Sequence, residues 1–210
     1  MPKVLVLFYS RTGNTAALAD AIAEGAGSVK FTEVEVRRID DLAPASVIDA
    51  NEGWKAARAA LAAKYRTLES VESLAHYDAL IVGSPARFGI MSAELKNALD
   101  HAGPLWQRGA LVDKVGSAFG SVATPDGGHE MNLMSMLVPM MHFGMILVPP
   151  GYSDASVFTA GSPYGATAAT ASGAPTAGDL AVARHQGARV AKVAEWVRHA
   201  KSHEAHGHRH

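Results

Sequence analysis

The stretch VLVLFYSRTGNT, residues 4–15, joins an unbroken apolar run to a loop of hydroxyls, one glycine and one asparagine. An apolar run without polar alternation is what a strand buried on both faces requires, and such strands belong to parallel sheets covered by helices. Residues 16–25 then carry apolar positions at helical spacing, and residues 31–39 alternate like a half-exposed strand. Together they make a β-α-β unit. The hydroxyl-rich loop therefore lies at the carboxyl end of the first strand, facing the amino end of the first helix, where open α/β sheets bind their ligands.

The same alternation continues down the chain. Residues 79–82 read as a short buried strand ending in Gly83-Ser84-Pro85, and residues 92–102 as a helix with Ser92 as its N-cap and Gly103 as its stop. Val115–Val122 is a further strand, closed by the turn Thr124-Pro125-Asp126-Gly127-Gly128. A Met-rich helix over 130–143, despite Pro139, and a last strand over 145–148 complete a parallel α/β sheet. Residues 40–73, with a helix-prone segment at 54–65, read as an elaborated connection whose role is not legible. Residues 151–176 are too long for an ordinary connection; Tyr152, Phe158 and Tyr164 favour an ordered, functional loop over a disordered one. A final helix runs from Asp179 to about Lys201 through Leu180, Ala183, Val190, Val193, Trp196 and Val197.

Composition narrows the function. A chain of 210 residues with 48% hydrophobic content suffices for one core, so one domain over 1–200 is expected. A net charge of −1 supplies no basic field for nucleic acid or an anionic membrane, which leaves small molecules as partners. No apolar run approaches the roughly 18 residues of a membrane span, and no leader pattern opens the chain, so a cytoplasmic protein is expected. With no cysteine, disulfides, thiolate nucleophiles and iron–sulfur clusters are excluded, and any redox chemistry must come from a cofactor. His199, His203, His206, His208 and His210 crowd the end without acidic or cysteine partners, so residues 201–210 read as a frayed tail with incidental metal affinity and no metal site is expected.

The loop after the first strand suits a phosphate. Ser10, Thr12 and Thr15 offer hydroxyls, Asn14 an amide, and Gly13 lets successive backbone N–H groups converge on one anion. Neither the Walker pattern nor G-x-G-x-x-G is present, which points to a single terminal phosphate rather than a triphosphate or dinucleotide. The alternative is an ordinary Ser/Thr/Gly-rich turn with a capped helix. Arg11 either pairs with the phosphate or is solvated.

YSRTGNT resembles the phosphate loop of the flavodoxin superfamily, which binds FMN. GSPARFGIMSAELKNALD at 83–100, GPLWQRGAL at 103–111, HFGMILVPPGY at 142–152, SPYGA at 162–166 and ARHQG at 183–187 are similar, in the same order, to the WrbA family of FMN-dependent NAD(P)H:quinone oxidoreductases. The resemblance implies a flavodoxin-like fold with a five-stranded parallel sheet of order 2-1-3-4-5 and helices on both faces. It implies an FMN held by Ser10, Arg11, Thr12, Gly13, Asn14 and Thr15, by Pro85, Ala86, Arg87, Phe88 and Gly89, and by Ser121, Val122, Ala123, Thr124, Pro125, Asp126 and Gly127. Trp106 and His142 would lie at the isoalloxazine, the tryptophan reaching in from a neighbouring subunit of a homotetramer.

The residues themselves bear on these roles. Pro85 and Gly89 tighten a turn that leaves backbone groups free for a flavin's pyrimidine edge. Phe88 either packs near the ring or is core, and Arg87 either donates to the ring or makes a surface ion pair. Reducing a quinone adds two protons with two electrons, so His142 is apt to donate a proton or polarise a carbonyl, unless it is a hydrogen-bonded core histidine. One aromatic face shared by NADH or NADPH and a quinone implies ping-pong kinetics. A one-electron carrier, a non-enzymatic flavoprotein and an FMN reductase for nitroaromatic or azo compounds are the alternatives. Thr12 stands where the family commonly has tyrosine, and Thr124-Pro125-Asp126 makes the third loop more acidic. Such a carboxylate either bonds ribose hydroxyls or repels the extra phosphate of NADPH, so the choice between NADH and NADPH stays open.

Overall fold

The computed structural model describes residues 1–171 and 173–207, with side chains as far as His203. Its strands are β1 (Lys3–Phe8), β2 (Glu33–Arg38), β3 (Ala79–Arg87), β4 (Ile90–Met91), β5 (Val115–Val122), β6 (Ile146–Leu147) and β7 (Thr167–Ala169). Between them lie α1 (Asn14–Gly27), α2 (Ala45–Asp49), α3 (Glu52–Lys64), α4 (Ala93–Asp100), α5 (Gly103–Gln107), α6 (His129–His142) and α7 (Ala177–Gly207), with short 3₁₀ segments at Val71–His76 and Ala155–Phe158. The parallel order is β2-β1-β3-β5-β6, which is the expected 2-1-3-4-5 once the short hairpin strand β4 is set aside.

The opening apolar run explains the layers. Val4, Val6 and Phe8 face one core with α1 and α7, while Leu5 and Leu7 face another with α4, α5 and α6. Each of these side chains is fully buried, worth about 1.5–3 kcal/mol apiece, so neither face tolerates a polar residue. Helices on both faces leave the carboxyl ends of β1, β3 and β5 as the open rim.

Several boundaries differ from the sequence expectation. β3 does not stop at Gly83-Ser84-Pro85 but continues to Arg87, pairing with β5 as far as Pro85↔Ser121 and then turning antiparallel into β4. Ser92 caps α4 as expected, its hydroxyl accepting from the Leu95 N–H at 3.5 Å. Gly103, however, opens α5 with Pro104 in its first turn rather than ending α4, so Trp106 sits on a short helix and not in a turn. α7 continues to Gly207, so residues 201–207 are helical rather than frayed; His208 and His210 lie outside the described residues. Trp196 on that helix is exposed, off the core stripe.

The long segment 151–176 interrupts the edge strand. β6 pairs with the first residues of β5 (Val115↔Ile146), and β7 with its last (Gly120↔Thr167, Val122↔Ala169). Buried Gln186 on α7 fixes the insertion: its Oε1 accepts from the Ala166 N–H at 2.6 Å, and its Nε2 donates to Ser117 Oγ at 2.7 Å and to the Ala118 carbonyl at 2.8 Å. Tyr152 and Phe158 pack ring to ring at 4.9 Å. These bonds tie the described part of the insertion to the sheet and to α7.

Candidate active site

Three loops meet at the rim. The first leaves β1 through Ser10 and enters α1 at Gly13, whose φ of +98° is left-handed. The Gly13 N–H donates to Ser10 Oγ at 3.1 Å, which closes the loop and leaves the Ser10 hydroxyl hydrogen free. No side chain caps α1 and its first turn holds no carboxylate, so the amino end of a 14-residue helix presents unpaired N–H groups and an uncompensated positive end. An anion is the natural acceptor there, and an ordinary capped turn is not what forms.

The second loop is the hairpin joining β3 to β4. Ala86↔Met91 and Arg87↔Ile90 are paired, leaving a two-residue turn of Phe88 and Gly89 with φ of +53° and +86°. Positive φ at both central positions is the type I′ arrangement that suits strand twist, and its first position normally takes asparagine, aspartate or glycine. Phe88 is neither small nor polar, and it is fully exposed. A bulky aromatic held at positive φ and facing outward leaves its ring face available to a ligand. The core alternative for Phe88 is thereby removed, and among the described residues Arg87 makes no ion pair; its Nη1 donates to the Ala86 carbonyl at 3.2 Å.

The third loop follows β5. Buried Ser121 Oγ lies 2.9 Å from buried Thr15 Oγ1, tying the first loop to the third. Gly128 rests on Gly89, since a Cβ added at Gly128 would come within 3.0 Å of the Gly89 Cα, tying the third to the second. Val122 is buried, Ala123, Thr124, Pro125 and Asp126 form an exposed turn, and the Gly127 N–H donates back to the Thr124 carbonyl at 2.9 Å. Asp126 lines a cavity of about 540 Å³ with His129, Glu130 and Asp179, and no residue of the first loop lines it. In that cavity His129 Nδ1 lies 2.5 Å from Thr167 Oγ1, and burial holds the imidazole below the ordinary histidine range.

Arg11 and Thr12 line a second cavity of about 450 Å³ with Arg87, Asn51 and Trp54. Its wall from α3 was not visible in the sequence. The Arg11 guanidinium sits 3.6 Å from the Trp54 ring centroid, part-buried and, among the described residues, not paired with a carboxylate. Trp54 is pinned in turn: its Nε1 donates to Asp41 Oδ1 at 3.0 Å, and the same oxygen accepts from the Tyr9 hydroxyl at 2.8 Å. Burial, then the Asp41 hydrogen bond, holds the Tyr9 phenol far above its ordinary range, so it remains a donor. Trp106 and His142 come together elsewhere, lining a cavity of about 350 Å³ with Lys96, Leu99 and Phe143. Both are exposed, so neither is a core residue, and no residue of the three loops lines that cavity.

Residues 2–159 match the model of a family described as NADPH-dependent FMN reductase. The chain belongs to the NADPH-dependent FMN reductase family. Among relatives, a Bradyrhizobium diazoefficiens protein named NAD(P)H dehydrogenase (quinone) is 45% identical over 202 residues, covering 92% of this chain and 98% of that protein. A protein of the same name from Azorhizobium caulinodans is 46% identical over 202 residues, covering 92% and 98%. The solved WrbA-like flavodoxin of Agrobacterium tumefaciens superposes with a TM-score of 0.63 at 26% identity, covering 93% of this chain and 99% of that one. An archaeal flavodoxin shares the fold at a TM-score of 0.60 and 21% identity, covering 92% and 99%. For an FMN reductase family member the donor set is apt: an uncapped helix end for one phosphate, and an outward aromatic at strain for a flat ring. Among the described residues no group of three or more metal-ligating side chains converges, and no helix is long and apolar enough to cross a membrane.

Proposed function

We propose that this protein is an FMN-dependent oxidoreductase that carries two electrons from NAD(P)H to a quinone. Near-full-length identity of 45% to proteins named NAD(P)H dehydrogenase (quinone) supports the activity. The observation that carries the site is the convergence of three loops on one rim, fastened by the Thr15–Ser121 hydroxyl pair and the Gly89–Gly128 contact. Bound there, FMN supplies the hydride chemistry that this cysteine-free chain lacks.

The chain's own residues do the rest. The free N–H groups opening α1, with the hydroxyls of Ser10 and Thr15, hold the phosphate. Thr12, Gly13 and Asn14 complete that cradle, Pro85–Gly89 and Ser121–Gly127 flank the ring system through backbone groups, and Phe88 covers one edge of it. Trp106 and His142 of a neighbouring copy close the substrate face, so the working unit is a homo-oligomer, a tetramer with twofold interfaces. Their exposure, beside exposed Val138 and Met141 and away from the loops of their own chain, supports a role across an interface. His142 there holds the quinone oxygen and delivers a proton as charge arrives.

Anaerobic titration of the FMN-loaded protein with NADH and NADPH, followed by a benzoquinone series, tests this. Bleaching by either nucleotide and rapid recovery on quinone addition is the expected result. Bleaching without quinone turnover would leave a flavoprotein of another function.

A further inference from the structure

We propose that the cavity between Arg11, Arg87 and Trp54 is a second anion site, which takes the 2′-phosphate of NADPH and makes NADPH the preferred reductant. The identity of the ligand rests on the function proposed above; the anion specificity rests on the cavity itself.

The cavity, about 450 Å³, lies beside the phosphate loop, between it, the β3–β4 hairpin and the first turn of α3. Two guanidinium groups line it and no carboxylate does. Among the described residues neither Arg11 nor Arg87 has an acidic group within 4.0 Å, whereas Arg38 pairs with Asp40 and Arg58 with Asp41 at 3.7 Å. Two unpaired like charges sharing one concave wall repel each other, and an entering dianion relieves both at once.

Arg11 is also held in advance. Its guanidinium carbon sits over the Trp54 ring, 3.6 Å from the centroid, and Trp54 is anchored through its N–H to Asp41, a carboxylate only 7% exposed that takes the Tyr9 hydroxyl as well. Stacking fixes the plane of a guanidinium without using its five in-plane donors, so the edge stays available for two parallel bonds to phosphate oxygens. Ordering that costs nothing at the moment of binding goes directly into affinity. The side chain is drawn toward α3, while the helix end at Gly13 and the Thr15–Ser121 pair form a separate cradle, so the loop serves two anions in different directions. A dinucleotide whose nicotinamide reaches the flavin leaves its adenosine end outside the cradle. Only NADPH carries a phosphate monoester on that end, with about −1.5 to −2 charge at neutral pH. Asp126, the carboxylate that would repel it, lines the other cavity.

The test uses FMN-loaded wild type, Arg11→Ala and Arg11→Lys. Calorimetric titration with adenosine 2′,5′-bisphosphate and with 5′-AMP is expected to show the bisphosphate binding at least ten times more tightly to wild type. In Arg11→Ala the bisphosphate affinity should fall roughly 10- to 100-fold, the span of a charge-assisted hydrogen-bonded pair. The ratio of kcat/KM for NADPH to that for NADH should fall in step. Arg11→Lys, with charge but no planar fork, should lie between. Equal binding of the two nucleotides to wild type would overturn the proposal. So would an Arg11→Ala variant whose FMN affinity falls as much as its bisphosphate affinity, because the arginine would then serve the cofactor's own phosphate. If neither NADH nor NADPH bleaches the flavin, the proposed function fails while the bisphosphate titration still decides the anion site.

Discussion

Replacing Phe88 with asparagine should make the flavin-free protein more stable and the flavin complex weaker. Phe88 occupies a left-handed conformation with φ of +53°, for which an ordinary side chain costs about 1–2 kcal/mol, and asparagine is among the few that offset this by local hydrogen bonding. The ring is fully exposed, so its removal from the free chain forfeits no packing. The net gain is about 1 kcal/mol, or roughly 2–4 °C in Tm for a chain of this size. Asparagine is a cleaner choice than glycine, which would add freedom to the unfolded chain and blur the sign. Covering a phenylalanine against a ligand is worth about 1.5–3 kcal/mol, so FMN should dissociate roughly 10- to 100-fold more readily from the variant. Calorimetric melting of the flavin-free protein and fluorescence titration with FMN measure the two effects. A lower Tm without flavin would mean the ring packs within the isolated chain, and an unchanged FMN affinity would mean it does not cover the cofactor; either would refute the strain-for-binding account.

Thr15→Glu places a carboxylate at the uncapped helix end beside buried Ser121, and flavin affinity should collapse; retention of FMN at wild-type affinity would remove the phosphate cradle. Initial rates varied in NAD(P)H and quinone should give parallel double-reciprocal lines, whereas intersecting lines would require both substrates on the enzyme together. Trp106→Ala should raise KM for quinone more than it weakens FMN, and wild-type activity per flavin should drop on dilution as subunits separate; a fully active monomer by light scattering would misplace this residue. Burial lowers the His129 pKa below its unfolded value of about 6.5, so the unfolded chain binds more protons and stability falls as pH drops below that value. His129→Asn should therefore flatten the acid side of a Tm–pH profile, and an identical profile would show that this imidazole takes no part.

The first strand, the first helix and the loop between them were legible because two strong local signals agreed: an apolar run long enough for a doubly covered strand, and a glycine flanked by hydroxyls where the strand ends. Local signals also misled where pairing overrode them. Gly83-Ser84-Pro85 reads as a turn, yet β5 holds those residues in the sheet as far as Pro85↔Ser121, because a strand neighbour on one side satisfies what the turn residues would otherwise leave open. Gly103-Pro104 reads as a helix stop, but glycine followed by proline also opens a helix, and here it opens α5. Trp54 gave no signal at all. Its partners Arg11, Tyr9 and Asp41 belong to other elements, and an Ala-rich helix in a long connection carries no motif that would join them. Gln186 is comparable: a buried amide on a helix looks like a surface residue until its three partners are seen.

Three of the features proposed to bind a ligand break a local rule. Phe88 takes a turn position meant for asparagine, α1 begins without a cap, and Arg11 and Arg87 share a cavity with no counter-charge. Other local rules are kept: Ser92 caps α4, Asn51 caps α3 by accepting from the Trp54 N–H at 2.9 Å, and Arg184 pairs with Glu24 at 2.7 Å, although Phe31, exposed at a φ of +61° between α1 and β2, breaks the same turn rule as Phe88. Since folded sequences agree across levels except where function intervenes, uncompensated breaks gathered at one rim are more informative than any one of them alone. An aromatic face, an unpaired helix end and two arginines without a carboxylate partner among the described residues would be satisfied together by a flat ring, one phosphate and a second phosphate, the pairing of FMN with NADPH proposed above.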